Sequence, residues 1–513
     1  MILTYSGYFI AALTISAIFW LLLGYLSRVN LSPDKLPPGP PRLPVIGNAF
    51  DLPRFSLWVE LSRLAKTYAG DIMSLEILSQ PVIVISSLEV AAELFEKRGA
   101  IYSDRHTSVM ANELCITDWL ISFMKYGDRW RRSRKFYHQH FGHAVLGKYD
   151  RIQTEKLRIF LKRIHESPHR YIDHCLYIFG ATIMKMIFGT DVHDESHEDM
   201  VIASMALEKV GEAAQPGRWL VDVFPILKYT PEWFPGATFK KHAALCNSLS
   251  GACRTNAYNR VKNAYDSGNI IPCMVTEMLE STVNCTDAEE TRACARDAFG
   301  GAFSAGSKTT VAYLEWFFLA MAMYPVVQVK AHKELNDVIG LDRLPEVADR
   351  ISLPYVEAIV KEVLRWHPVT PLGFIHCVSE TNAYKEYVIP KGAIVIGNAW
   401  EILRDPVAYP EPDVFNPERF LNDDGTLNPD IRDPQVACFG FGRRICPGRH
   451  MAFNALFQVI AAILQTSTIE PLDIEAAKQA IPTNSKGLIS HPSLFKLSMK
   501  PRSAAVEHLL KDL

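Results

Sequence analysis

Apolar positions run unbroken at the start of the chain and recur with helical spacing through most of the remainder. From Ile2 to Leu26 there is no charged side chain, and most residues are apolar. About 20 such residues at 1.5 Å rise each suffice to cross a bilayer, so residues 1–27 are expected to form one transmembrane anchor. A cleaved signal peptide is the competing reading. It lacks support because there is no basic leading region and the apolar stretch exceeds the usual length, roughly 7–15 residues. Arg28 and Lys35 follow the span, which orients the large C-terminal part toward the cytosol.

Behind the anchor comes Leu36-Pro37-Pro38-Gly39-Pro40-Pro41-Arg42-Leu43-Pro44. Proline fixes φ and removes a donor, so residues 28–48 read as a stiff extended hinge. From residue 49 to 513 there is no repeat, low-complexity tract or long linker. Short β-rich pieces occur at Pro81–Ile85 and around Tyr387–Val395, and helical patterns dominate elsewhere, including Asn284–Met323 and Leu353–Trp366. The expected architecture is mainly α with a smaller β region (α+β), in one domain spanning 49–513.

Composition changes this picture little. Hydrophobic residues at 48% and charged residues at 21% are ordinary for a folded globular chain. A net charge of −2 gives no electrostatic footprint for nucleic acid, so none is expected as a partner. Ten irregularly spaced cysteines in 513 residues do not form a disulfide scaffold, and no Cys/His run has zinc spacing.

One cysteine stands apart. Cys446 lies in Phe439-Gly440-Phe441-Gly442-Arg443-Arg444-Ile445-Cys446-Pro447-Gly448-Arg449-His450. The glycines permit tight geometry and close approach to a flat ligand. Pro447 is a residue type favoured at the first helical position, and the apolar run Met451–Leu464 supports a helix there. A sulfur at a helix N-terminus, flanked by Arg443, Arg444 and Arg449, is stabilised as thiolate by the dipole and the cations. The plainer alternative, a buried cysteine beside a glycine turn, leaves the spacing of these residue types unexplained.

This segment resembles the haem-binding signature of the cytochrome P450 family, Phe-x-x-Gly-x-Arg-x-Cys-x-Gly. The matching positions are Phe439, Gly442, Arg444, Cys446 and Gly448. The resemblance implies haem b (iron protoporphyrin IX) as cofactor, Cys446 as the axial ligand of its iron, and Arg444 on a haem propionate. Thiolate ligation pushes electron density toward the iron and favours O–O cleavage. Glu362-Val363-Leu364-Arg365 looks like the family's Glu-x-x-Arg, and Arg419 in Pro417-Glu418-Arg419-Phe420 would complete a structural cluster with that pair. Trp130 and Arg134 match the Trp-x-x-x-Arg that contacts propionates, and His376 falls where the family often places another propionate partner. The likeness covers about residues 36–500 and implies the cytochrome P450 fold, with 49–513 as a haem-thiolate catalytic domain. Pro231–Ala237 also looks like a segment of fungal members that work in secondary metabolism.

Ala305-Gly306-Ser307-Lys308-Thr309-Thr310 resembles the family's central-helix motif, which normally reads Ala/Gly-Gly-x-Asp/Glu-Thr. The resemblance implies that Gly306 loosens the helix and that catalytic Thr309 hydrogen-bonds oxygen. Lys308 departs from it by replacing a carboxylic proton source with a cation. Three readings stay open: Lys308 turns outward and water with Thr309 supplies protons; turnover is leaky; or Lys308 recognises an anionic or carbonyl-bearing substrate.

The side chains expected to line the pocket are mostly apolar: Ile121, Phe299, Val369, Leu372, Phe374, Leu488 and Ile489. The substrate is therefore expected to be a hydrophobic small molecule, a terpenoid-like secondary metabolite first. The implied chemistry is monooxygenation with O2. The chain shows no flavin- or nicotinamide-binding Gly-x-Gly-x-x-Gly unit, so electrons from NADPH must arrive through a separate NADPH-cytochrome P450 reductase. A basic face around Arg131, Arg132, Arg443, Arg444 and Arg449 is the expected dock. Location in the endoplasmic reticulum membrane, single-pass with the catalytic domain toward the cytosol, follows from the anchor. The rival readings are a haem-thiolate isomerase or dehydratase that needs no reductase, and a non-catalytic haem sensor.

Overall fold

The computed structural model describes residues 35–511 apart from 54, 69, 216 and 482–486, together with the isolated residue 16. Apart from residue 16, the expected anchor at 1–27 and the first part of the hinge lie outside the described residues. Among the described residues, no single helix is long and apolar enough to cross a membrane. The chain contributes to two compact units, each built from several separate stretches.

One unit comprises the described residues up to His106 together with Phe374–Ile402 and Phe441–Arg443. Its strands are β1 (Ile72–Ile77), β2 (Gln80–Ile85), β3 (His376–Cys377), β4 (Asn382–Tyr384), β5 (Tyr387–Ile389) and β6 (Ile394–Gly397). The main sheet runs β1-β2-β6-β3, with β2 parallel to β6 and the other pairs antiparallel. Leu78 and Ser79 take positive φ at the β1–β2 hairpin, the conformation that matches strand twist. Val82–Ile85 is fully buried, as an unbroken β-branched run in an inner strand requires. The second expected β piece divides between β5 and β6, because Pro390 cannot donate to a ladder.

Helix α1 (Leu57–Tyr68) buries Trp58, Leu61, Ser62, Leu64 and Ala65, a stripe with helical spacing. The proline-rich strap is held by hydrogen bonds to its exposed backbone. Ser74 N–H donates to the Pro38 carbonyl at 2.9 Å. The fully buried Asn48 donates to the Pro40 and Pro41 carbonyls and accepts from Glu76 N–H. Lacking donors of its own at these prolines, the strap depends on such side-chain clamps.

The other unit comprises Thr107–Gly373, Leu403–Gly440 and the described residues from Arg444 on. Its principal helices are α2 (Asp128–Phe141), α3 (Asp150–Glu166), α4 (Tyr171–Phe188), α5 (Glu198–Ala213), α6 (Thr238–Asp266), α7 (Ala288–Met323), α8 (Pro325–Val338), α9 (Pro354–Trp366) and α10 (Arg449–Thr466). A small antiparallel pair, β7 (Ser467–Pro471) and β8 (Leu497–Pro501), lies beside them. At 1.5 Å per residue α7 is about 54 Å long, and its stretch Val311–Ala322 is buried on every side because it is apolar apart from Glu315. Aromatic rings lock it to its neighbours: Phe299 meets Phe136 edge-on at 5.1 Å, and Phe303 meets Phe188 at 5.9 Å.

Candidate active site

The loop before α10 folds back on itself: Cys446 N–H donates to the Phe439 carbonyl at 2.8 Å. Helix α10 begins only at Arg449, with Gly448 as its cap. Pro447 therefore precedes the cap rather than occupying the first helical position, so the cysteine stands in the turn leading into the helix. The Gly448 N–H donates to the sulfur. Burial pushes the Cys446 thiol up, and the Gly448 N–H, Arg134 and Arg449 oppose that effect. The cations that oppose burial there are Arg134 of α2, which the sequence did not place beside the sulfur, and Arg449, which it did. A metal cation would become the largest local charge and would deprotonate the thiol outright.

Buried Arg444 is turned away from solvent. Its guanidinium donates to the Ile121 and Met124 carbonyls at 3.0 and 2.8 Å and lies 4.6 Å over the Trp130 ring. Trp130 and Arg134 share one face of α2 because they are four residues apart. Arg134 donates to the Ile445 carbonyl, and burial lowers its pKa while Cys446 raises it. The Trp130 indole N–H is buried with no hydrogen-bond partner among the described residues. An orphaned buried donor costs about 1–3 kcal/mol. This donor, beside buried Arg444, half-buried Arg134 and a turn-held thiol, fits a flat group that offers both a metal ion and carboxylates.

Thr309 lies on α7, half-buried, with its hydroxyl donating to the Ala305 carbonyl at 2.9 Å. Ala305 is exposed although the helix on either side is largely buried, so one face of α7 is open at this level. Burial raises the pKa of Tyr313, one turn beyond Thr309, well above the usual phenol value, and the proximity of Cys438 and Cys446 adds to it. Gly306 has a different role from the one expected. The helix continues as α through this stretch, and a Cβ on Gly306 would lie 2.5 Å from Ile183 of α4. Close packing against α4 explains the glycine.

His376 and Gly442 belong to the first unit. His376 lies in β3 with its Nδ1 2.7 Å from the Tyr102 carbonyl and its ring 4.5 Å from Phe95. Gly442 has a φ of 54°, and a Cβ there would sit 2.0 Å from the Phe95 carbonyl oxygen, so no larger residue fits. The structure thus gathers Trp130, Arg134, Arg444, Phe439, Cys446 and Gly448 in one unit, with Thr309 on the long helix of that unit.

Glu362, fully buried, accepts from Arg365 at 2.7 and 2.8 Å, from Arg419 at 3.3 Å and from Asn416 N–H at 2.8 Å. Arg365 also donates to the Leu403, Pro412 and Val414 carbonyls, so the cluster ties α9 to the irregular segment after residue 403.

Some expectations are corrected. Phe299 is core, edge-on to Phe136 and His140, and does not line an open face. Arg131 pairs with Asp128 and Arg132 with Glu290, and Arg444 is buried, so the expected basic face is weaker than the sequence suggested. Reading the sequence also missed Tyr126, Tyr137 and Tyr313. Tyr126 packs on Trp130 at 5.2 Å, and Tyr137 and Tyr313 sense Cys446. For Tyr313 the four-residue step from Thr309 was the available signal, while Tyr126 precedes α2 and gave none.

The sequence profile of the cytochrome P450 family matches residues 37–499. Among similar proteins, cytochrome P450 monooxygenase claR of Ampulloclitocybe clavipes is 39% identical over 498 residues, covering 96% of this chain and 90% of the relative. Cytochrome P450 monooxygenase COX1 of Coprinopsis cinerea is 38% identical, covering 95% of both chains. A cytochrome P450 monooxygenase of Armillaria gallica is 37% identical, covering 97% and 99%.

Proposed function

This chain belongs to the cytochrome P450 family and is a monooxygenase, and from that premise we propose that it oxidises a hydrophobic small molecule, a terpenoid-like secondary metabolite. Family membership implies haem, and we assign haem b. Bound haem iron supplies oxygen activation with electrons delivered from outside the chain. Those electrons are assigned to NADPH through a separate reductase, with the protein held at the endoplasmic reticulum membrane by residues 1–27 and its body toward the cytosol.

The carrying observation is the group formed by Cys446, its Gly448 N–H donor, Arg134, Arg444 and the unpartnered Trp130 N–H. In this reading Cys446 ligates the iron, while Trp130, Arg134 and Arg444 hold the propionates; for His376 the propionate role rests on the family resemblance alone. Phe439 and Gly442 shape the cysteine loop. Thr309 is the proton-handling residue of the open face. Its hydrogen is engaged by the Ala305 carbonyl, which leaves the Oγ1 lone pairs free to accept from a water or an oxygen-bound proton. The Glu362–Arg365–Arg419 cluster holds the surrounding fold and touches no substrate.

A single spectrum tests the ligand assignment. The reduced protein with carbon monoxide should show the red-shifted Soret band of thiolate ligation, and an unshifted band would refute it. Expression with a reductase, followed by metabolite profiling, tests the reaction and names the substrate. Lys308 in place of a proton-donating acid is the observation that favours the rival isomerase or dehydratase reading. Product formed without NADPH and reductase decides for that rival.

A further inference from the structure

Lys308 is the single basic residue of α7 between Gly300 and Met323, and it is half-buried. Among the described residues, neither a carboxylate within ion-pair distance nor a hydrogen-bond acceptor meets its ammonium. Its polar neighbours are already committed. Ser307 donates to the Phe303 carbonyl, Thr309 donates to the Ala305 carbonyl, and Ser304 is hydrogen-bonded to Cys253. The one acid on this part of the helix, Glu315, lies about 10 Å farther along the axis and is taken by His491 at 2.8 Å.

Position gives this isolated charge its meaning. At 3.6 residues per turn, Lys308 and Thr309 flank the exposed Ala305, about 60° to one side and about 40° to the other. The ammonium is thus rooted beside the open face of an otherwise apolar helix. With no carboxylate in ion-pair distance among the described residues, this cation is available to pair with an arriving anion. One isolated ammonium matches one negative charge. A phosphate or diphosphate calls for several donors, which this stretch of α7 lacks.

We propose that Lys308 is a specificity-determining residue and that the substrate is a largely apolar molecule bearing one carboxylate. The proposal rests on the monooxygenase reading and deepens it. The carboxylate docks on the Lys308 ammonium and fixes which end of the apolar skeleton is presented beside Thr309. Lys308 acts by positioning; it transfers no atom.

The test uses full-length, haem-loaded protein and matched pairs of carboxylic acids and their methyl esters: straight-chain acids of graded length, an aryl acid and a terpenoid acid. Binding is read by optical titration of the ferric protein and by the shift in melting temperature, both at a pH where the acids are ionised. At least one acid should bind about tenfold more tightly than its ester. Lys308→Met should remove that preference by weakening the acid while leaving the ester within about twofold, and Lys308→Arg should keep it. A panel in which no acid outbinds its ester overturns the proposal from wild-type protein alone, as does a preference that survives in Lys308→Met. A normal carbon monoxide spectrum accompanying such a failure sinks only this inference. An unshifted spectrum sinks the haem-thiolate reading beneath it.

Discussion

Cys446 and Lys308 stand in segments of one unit that treat charge in contrary ways. Around Cys446 the Gly448 N–H, Arg134 and Arg449 converge to offset the penalty of burial. Around Lys308 the neighbouring hydroxyls turn back onto helix carbonyls and, among the described residues, no carboxylate answers the ammonium. The first region answers part of the burial penalty on its sulfur with groups of its own. The second is incomplete by one negative charge. A protein can leave such a gap at a place where a ligand supplies the missing group, and it cannot leave one where the fold must stand unaided.

Breaking the first region should have the largest effect. Cys446→Ala is expected to abolish monooxygenase activity and the red-shifted carbon monoxide spectrum together. Activity that survived with an unchanged spectrum would place the ligand elsewhere. Glu362→Gln comes next, because it leaves the buried Arg365 and Arg419 uncompensated. A loss of about 3–5 kcal/mol, seen as lower expression and an earlier unfolding midpoint, follows from breaking a buried pair. If Glu362→Gln unfolds like wild type, the cluster is not what ties α9 to the segment beyond residue 403.

Thr309→Val should sharpen the contrast on the open face. It removes the hydroxyl and keeps the shape, so product per NADPH should fall, by as much as roughly 10²-fold for a proton-handling role, while Thr309→Ser retains most of it. Equal coupling in wild type and Thr309→Val would leave Thr309 without the assigned role. The smallest effect belongs to Trp130→Phe, which deletes the orphaned donor but keeps an aromatic ring under Arg444. Haem should dissociate roughly tenfold faster, corresponding to one lost hydrogen bond of about 1–1.5 kcal/mol, as measured by transfer to a haem acceptor. An unchanged rate would show that the indole N–H meets no propionate.

Much of the site was legible because it is local. The cysteine loop, the Glu362–Arg365 pair three residues apart and the Trp130–Arg134 pair four residues apart are fixed by chain geometry. The burial of Val311–Ala322 in α7 was also legible, since a stretch apolar on every side has none to give to water. Less legible were roles set by long-range partners. Gly306 read as a weak point in the helix, and the structure makes it the contact with Ile183. Phe299 read as a lining residue, and Phe136 and His140 draw it into the core. Arg444 read as part of a surface patch, and the Ile121 and Met124 carbonyls hold it inside.

By itself the sequence determined the chemistry on offer at Cys446, the mainly helical body and the unusual presence of a lysine before Thr309. Residue identity and short spacing are properties of the chain alone. Tertiary structure decided which groups reach the sulfur, which arginines stay at the surface and that nothing in the described fold neutralises Lys308. Electrostatic and packing partners lie up to hundreds of positions apart, and only folding sets their distance and the burial that gives each charge its weight.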